Sequence, residues 1–259
     1  MFSSPRSFFM IPFLLLFVAC EKDDPSTDDN NDGVQSSGEQ KEAGASADAF
    51  LQEEPYPELV IHILYMDGYK PTGRAADSLN AFLRRYLNKP QGISIEYENV
   101  LSPGKSSYGI DDIDPIIEDE RINDYSSSPI RAYLLIVDGK YEGNSGSTET
   151  LGIAYAAHRM ALFGESVHEF SDGLSEPDRW KMEASVMAHE FGHILGLVAN
   201  GTPMVKDHQD SGHGKHCNDE DCLMYYSMET SDIVGKIFGA DMPRLDANCQ
   251  KDLEANGGK

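Results

Sequence analysis

The sequence predicts a mixed α/β domain: a mostly parallel, twisted sheet, at least one helix packed on it, and a helical C-terminal part. Three observations lead there. Short β-branched apolar runs recur in the first half of the chain, helical periodicity fills the gaps between them, and after residue 175 a long apolar helix gives way to polar loops. Strands that alternate with helices in this way pair in parallel, because each crossover returns the chain to the same end of the sheet.

Residues 59–66 (Leu-Val-Ile-His-Ile-Leu-Tyr-Met) lie between Pro57 and Gly68 and read as a buried strand. Residues 74–88 place Ala75, Leu79, Phe82, Leu83 and Tyr86 at helical spacing, and Pro90 stops that helix. Residues 93–100 alternate Ile93, Ile95 and Tyr97 with polar partners, giving a second strand. An acidic helix is expected over 111–125, a third strand over 131–137 and a fourth over 152–157. Ser175-Glu176-Pro177-Asp178 is a helix-start signal with Ser175 as N-cap and Pro177 in the first turn. That helix should run to about Leu195 and end at Gly196. Polar loop fills 200–220, and a further helix is expected from Ser231, interrupted near Gly239 and Pro243.

Residues 1–19 carry a single charge, Arg6, and an apolar run too short to span a bilayer comfortably, which marks an export signal. Residues 20–54 are dominated by Asp, Ser, Asn, Gly and Glu and are expected to be a disordered acidic linker. Residues 55–259 form the folded domain. With 21 basic against 44 acidic side chains the formal charge is −23, which removes any electrostatic reason to bind nucleic acid or anionic lipid. Nothing in the sequence calls for an oligomer, so a monomer is expected. Three cysteines follow Cys20, at 217, 222 and 249. In an exported chain Cys217 and Cys222 would close a small disulfide loop and leave Cys249 over.

The chemistry is concentrated in His189-Glu190-Phe191-Gly192-His193. Histidines four apart on a helix share one face and can aim both rings at one metal ion, with zinc the expected cofactor. Glu190 lies beside the first ligand, where it can serve as general base to a water that zinc activates for attack on a peptide bond. Apolar residues at Val186, Met187, Phe191, Ile194 and Leu195 give the helix a core face.

The run His189-Glu-Phe-Gly-His193-Ile-Leu-Gly196 resembles the start of the metzincin zinc site, in which the chain turns back at the glycine and a third histidine follows three residues later. That place is Ala199 here. His216-Cys217, followed by Cys222-Leu223-Met224, resembles the archaemetzincin arrangement, which implies an insertion of seventeen residues and His216 as third ligand. His208 and His213 compete for the role from the same loop, and Asp207 and Asp210 offer oxygen. The resemblance further implies a methionine turn at Met224, Tyr226 as hydrogen-bond donor to the oxyanion, and an antiparallel cleft strand over 152–157 that pairs with an extended peptide or protein substrate. Archaemetzincins bind a second zinc through four cysteines, and this chain has only Cys249 in the later position, so the disulfide is preferred. The implied activity is that of a zinc endopeptidase.

Phe17-Val18-Ala19-Cys20 resembles the lipobox of bacterial lipoproteins, and Glu21-Lys22-Asp23-Asp24 resembles the surface-export signal of Bacteroidetes. Together they imply membrane attachment through lipid on Cys20 at the outer membrane, on the cell surface or otherwise facing the periplasm. Two rival readings are an inactive surface binding or adhesion lipoprotein, and a zinc hydrolase of gluzincin type whose third ligand is Glu220 or Glu229. His62 in its apolar strand reads as a satisfied core residue, and Asp111, Asp112 and Asp114 read as a solvated acidic face ahead of a calcium site.

Overall fold

The structure, a computed structural model, describes Met1, residues 41–121 and residues 128–259. The export signal after Met1, Cys20, the linker up to residue 40 and residues 122–127, which include the end of the expected acidic helix, lie outside the described residues. No described helix is long and apolar enough to cross a membrane.

The expected α/β architecture is present. In chain order the elements are α1 (Ala47–Leu51), β1 (Glu58–Met66), α2 (Gly73–Tyr86), β2 (Gly92–Val100), β3 (Ser107–Tyr108), α3 (Ile110–Glu120), β4 (Ile130–Val137), β5 (Lys140–Tyr141), β6 (Gly152–Ala156), β7 (Arg159–Phe163), α4 (Gly164–Glu169), α5 (Arg179–Ile194), α6 (Val234–Ile237) and α7 (Ala247–Ala255). Two 3-10 turns, Tyr226–Glu229 and Ser231–Ile233, precede α6. The main sheet has the order β2-β1-β4-β7-β6, and all its pairings are parallel except β6 with β7. In the central strands successive side chains serve opposite faces. Ala132, Leu134 and Ile136 of β4 join the core under α2 and α5, while Tyr133, Leu135 and Val137 join the one under α3.

Strand β7 was not expected from the sequence. Its five residues are all buried, yet it begins with Arg159, a charge that breaks the apolar run. The structure satisfies that charge with Asp114 and Glu118 of α3, which places part of the acidic cluster in an ion pair. Asp112 is likewise engaged, with Lys105 and the backbone N–H of Gly109. His62 is buried beside Glu98, at 3.1 Å, as a core histidine.

The start of α5 is later than expected, at Arg179 with Asp178 in the N-cap position. Asp172, from the preceding turn, accepts from the Arg179 N–H at 2.9 Å, the service a Ser175 cap would have given. Every residue from Met182 to Ile194 is buried. Glu183 ties this helix to α2 by accepting from Thr72 through both its N–H (2.9 Å) and hydroxyl (2.7 Å).

The linker does not extend to residue 54. Phe50 and Leu51 of α1 are fully buried, and Phe50 meets Phe191 of α5 edge-on, with ring centroids 5.8 Å apart. Lys89 fastens the segment by donating to the carbonyls of Ala49 (2.7 Å), Gln52 (2.5 Å) and Tyr56 (2.6 Å). A short helix with two large apolar residues was hidden at the end of a polar tract, where composition outweighed it. Phe50→Ala is expected to lower stability by about 3–5 kcal/mol, read from the urea midpoint. A linker residue would leave the midpoint unchanged.

Candidate metal centre

His189 and His193 project from one face of α5, both buried, with their Nε2 atoms 3.1 Å apart. The His189 Nδ1–H donates to the Leu223 carbonyl at 2.7 Å, which fixes the ring and turns Nε2 inward. His216 arrives from the long loop after the helix. Its ring stacks on His189 at 5.3 Å and stands edge-on to His193 at 5.0 Å, while its Nδ1–H donates to the His213 carbonyl at 2.8 Å. The ring nitrogens of these three histidines and a carboxylate oxygen of Glu229 all lie within 4.8 Å of one another.

The two competing histidines are engaged elsewhere. His208 is buried, with Nε2 at 2.7 Å from Asp252 and Nδ1 at 3.3 Å from the Cys217 sulfur. His213 is paired with Asp210 at 2.7 Å and stacked on the Tyr226 ring at 3.6 Å. Glu220 is 75 % exposed beside Lys236, far more open than Glu229. Glu229 entered the sequence reading only as an alternative to His216, and the structure brings both to the same point. Nothing in the residue spacing signals this, because it follows from the 3-10 turn at Tyr226–Glu229.

The chain leaves α5 through three left-handed residues, Gly196 (φ 76°), Val198 (φ 56°) and Ala199 (φ 58°). Such a backbone costs about 1–2 kcal/mol at each non-glycine position. Hydrogen bonds back to the helix end offset it: the Asn200 amide donates to the His193 carbonyl (3.1 Å) and the Thr202 hydroxyl to that of Gly196 (2.8 Å). Ala199 offers no ligating atom, and the third imidazole comes from the far end of the loop.

Two close approaches shape the cluster. A Cβ on Gly192 would sit 2.2 Å from the Met224 sulfur, so only glycine lets the thioether pack directly under the residue between Phe191 and His193. A Cβ on Gly152 would sit 2.8 Å from a Glu190 carboxylate oxygen, so the first residue of β6 leaves the slot that Glu190 fills.

Glu190 is fully buried, and the backbone of Ala154 is the hydrogen-bonding group that favours its charged form. Burial, and then the charge of Glu229, push its pKa well above the usual carboxylate range. Burial also drives His193 well below its ordinary value, with His189 adding to the effect. For His216 burial works in the same direction, but the Glu229 carboxylate prevails and raises it. Three converging ring nitrogens with the Glu229 carboxylate among them form a donor set that suits zinc, and a cation there would offset the buried negative charge.

A second cluster lies close by and overturns the expected disulfide. Cys217, Cys222 and Cys249 are all free and buried. The Cys222 sulfur is 3.6 Å from that of Cys249, against about 2.05 Å for a bond. Helix α7 carries Cys249 into the same pocket, so the odd thiol is not left over. His208, Cys217, Asp246 and Cys249 each offer a ligand atom within 4.8 Å of the others. The inserted loop therefore does not simply pass over the surface, since it delivers His208 to the interior.

No family model and no curated protein matches the chain. Among solved structures it is similar to archaemetzincin from Methanopyrus kandleri, at 17 % identity over 77 % of this chain and 96 % of that one, with a TM-score of 0.51. It is also similar to a zinc-dependent peptidase from Methanocorpusculum labreanum (14 %, 74 % and 99 %, TM-score 0.44). Metalloproteinase-II from Bacteroides fragilis gives 16 % identity over 78 % of this chain and 53 % of that one, with a TM-score of 0.40. The first of these shows a shared fold.

Proposed function

We propose that the chain is a zinc-dependent metallopeptidase in which His189, His193 and His216 hold the metal. The observation that carries the reading is the convergence of their three ring nitrogens, with Glu190 buried at the next helix position after His189. When bound, zinc supplies a Lewis acid that polarises the peptide carbonyl and brings the pKa of water near neutrality. Glu190 takes the proton of the attacking water and passes it to the leaving amine, in the roles of general base and then general acid. Tyr226, three residues ahead of Glu229 on the same turn, donates to the oxyanion, with its ring oriented by the stacked His213.

The cleavage mode we infer is endopeptidic. Strand β6 is the edge of the sheet, begins against Glu190, and can accept an extended peptide or protein segment as an additional antiparallel strand. The chain would act as a monomer. The geometry of this cluster supports a second, structural metal ion held by His208, Cys217, Asp246 and Cys249, the histidine oriented by Asp252.

Attachment to the outer membrane as a lipoprotein rests on the sequence of residues 17–24. The full chain is expected in the membrane fraction and Cys20→Ala in the soluble one, while equal partition would sink the lipoprotein reading.

The activity is tested by zinc content and cleavage of a mixed peptide library. Parent and Glu190→Ala should hold equal zinc while the variant loses cleavage by about 100-fold or more, as removal of a general base does. Tyr226→Phe should lower kcat with little change in KM. Parent protein without zinc would end the metallopeptidase reading and leave that of a binding protein.

A further inference from the structure

Glu229 sits among the three histidines, and the reading above gives it no task. Tetrahedral zinc, with bonds of about 2.0–2.2 Å to nitrogen and oxygen, separates neighbouring ligand atoms by about 3.3–3.6 Å. The Glu229 carboxylate comes near that spacing with each ring: Oε1 lies 3.5 Å from His216 Nε2, and Oε2 lies 3.6 Å from His189 Nε2 and 3.8 Å from His193 Nε2. A carboxylate merely close by would approach one ring and not all three.

The backbone presents Glu229 firmly. Its carbonyl accepts from the Leu151 N–H at 2.8 Å, Ser231 N–H donates to the Glu149 carbonyl at 2.8 Å, and the Ser231 hydroxyl accepts from the Glu149 N–H at 3.0 Å. Residues 149–151, which lead into β6, thus fix the turn on which Glu229 stands. The side chain itself remains 28 % exposed, so its carboxylate is not walled in.

We propose that Glu229 is a fourth protein ligand, closing the coordination sphere at rest and leaving it when a peptide enters along β6. A catalytic zinc ordinarily keeps one position open, whereas four protein ligands make a closed site. This chain would carry its own occupant of the open position, on a turn tied to the start of the substrate strand. The inference rests on the reading of the histidine cluster as a zinc site.

The test uses the full chain in detergent, with zinc affinity measured by chelator competition and acetohydroxamate binding measured by calorimetry on the zinc-loaded protein. Glu229→Gln keeps the volume and the backbone hydrogen bonds, and so guards against a folding defect in Glu229→Ala. Both variants are expected to bind zinc at the histidine cluster at least tenfold more weakly and acetohydroxamate at least tenfold more tightly than the parent. Zinc affinity and acetohydroxamate binding unchanged in both variants would overturn the proposal while leaving the metallopeptidase reading intact. A parent chain that binds no zinc at the cluster would overturn both.

Discussion

Glu190 takes its carboxyl group wholly into the interior, where burial and the charge of Glu229 outweigh the backbone hydrogen bond from Ala154, and a charge buried there is costly unless it is compensated. The surrounding architecture is arranged to keep it there. Gly152 gives up its side chain to make the slot, α5 is buried on every side from Met182 to Ile194, and the imidazoles of His189 and His193, one residue and about one helical turn away, converge with that of His216. A divalent cation bound by those rings would supply the missing favourable charge. The site and the fold are in this sense one problem, because the helix cannot be packed so deeply unless its polar residues are satisfied from within.

The support for that helix comes from distant parts of the chain. Phe50 braces Phe191 from the N-terminal side, Leu223 orients His189, and Met224 packs under Gly192. The loop between Gly196 and His216 accepts strain at Val198 and Ala199 so that the chain can leave the helix sharply, and on its way back it lodges His208 between Asp252 and Cys217. Helix α7 then closes the cysteine pocket with Cys249. A loop of this length would be a liability if it were free. Here it is anchored at His208 and His216, so the third imidazole arrives on a braced segment.

Much of this was legible in the residues. The strands β1, β2, β4 and β6 announce themselves as β-branched or alternating runs, and the spacing of four between His189 and His193 places both on one helical face. What stayed hidden shares a physical cause. Strand β7 opens with Arg159, whose partners Asp114 and Glu118 lie more than forty positions away in sequence. The helix α1 is short and embedded in a polar tract, and its reason to fold is a contact with Phe191. Glu229 joins the histidines through a 3-10 turn, which has no periodicity to read, and Cys249 joins the other cysteines through the packing of α7. Each of these depends on a tertiary partner that local pattern does not contain, and composition misled in the one place, residues 41–54, where two buried apolar residues were outnumbered.

The central claim is that a metal occupies the point where His189, His193 and His216 converge. Diffraction from crystals of the zinc-loaded chain, collected at the zinc absorption edge, tests it most directly. The account predicts an anomalous peak at about 2.0–2.1 Å from the Nε2 atoms of all three histidines. A map with zinc only in the cysteine pocket, and no peak among the histidines, would contradict it.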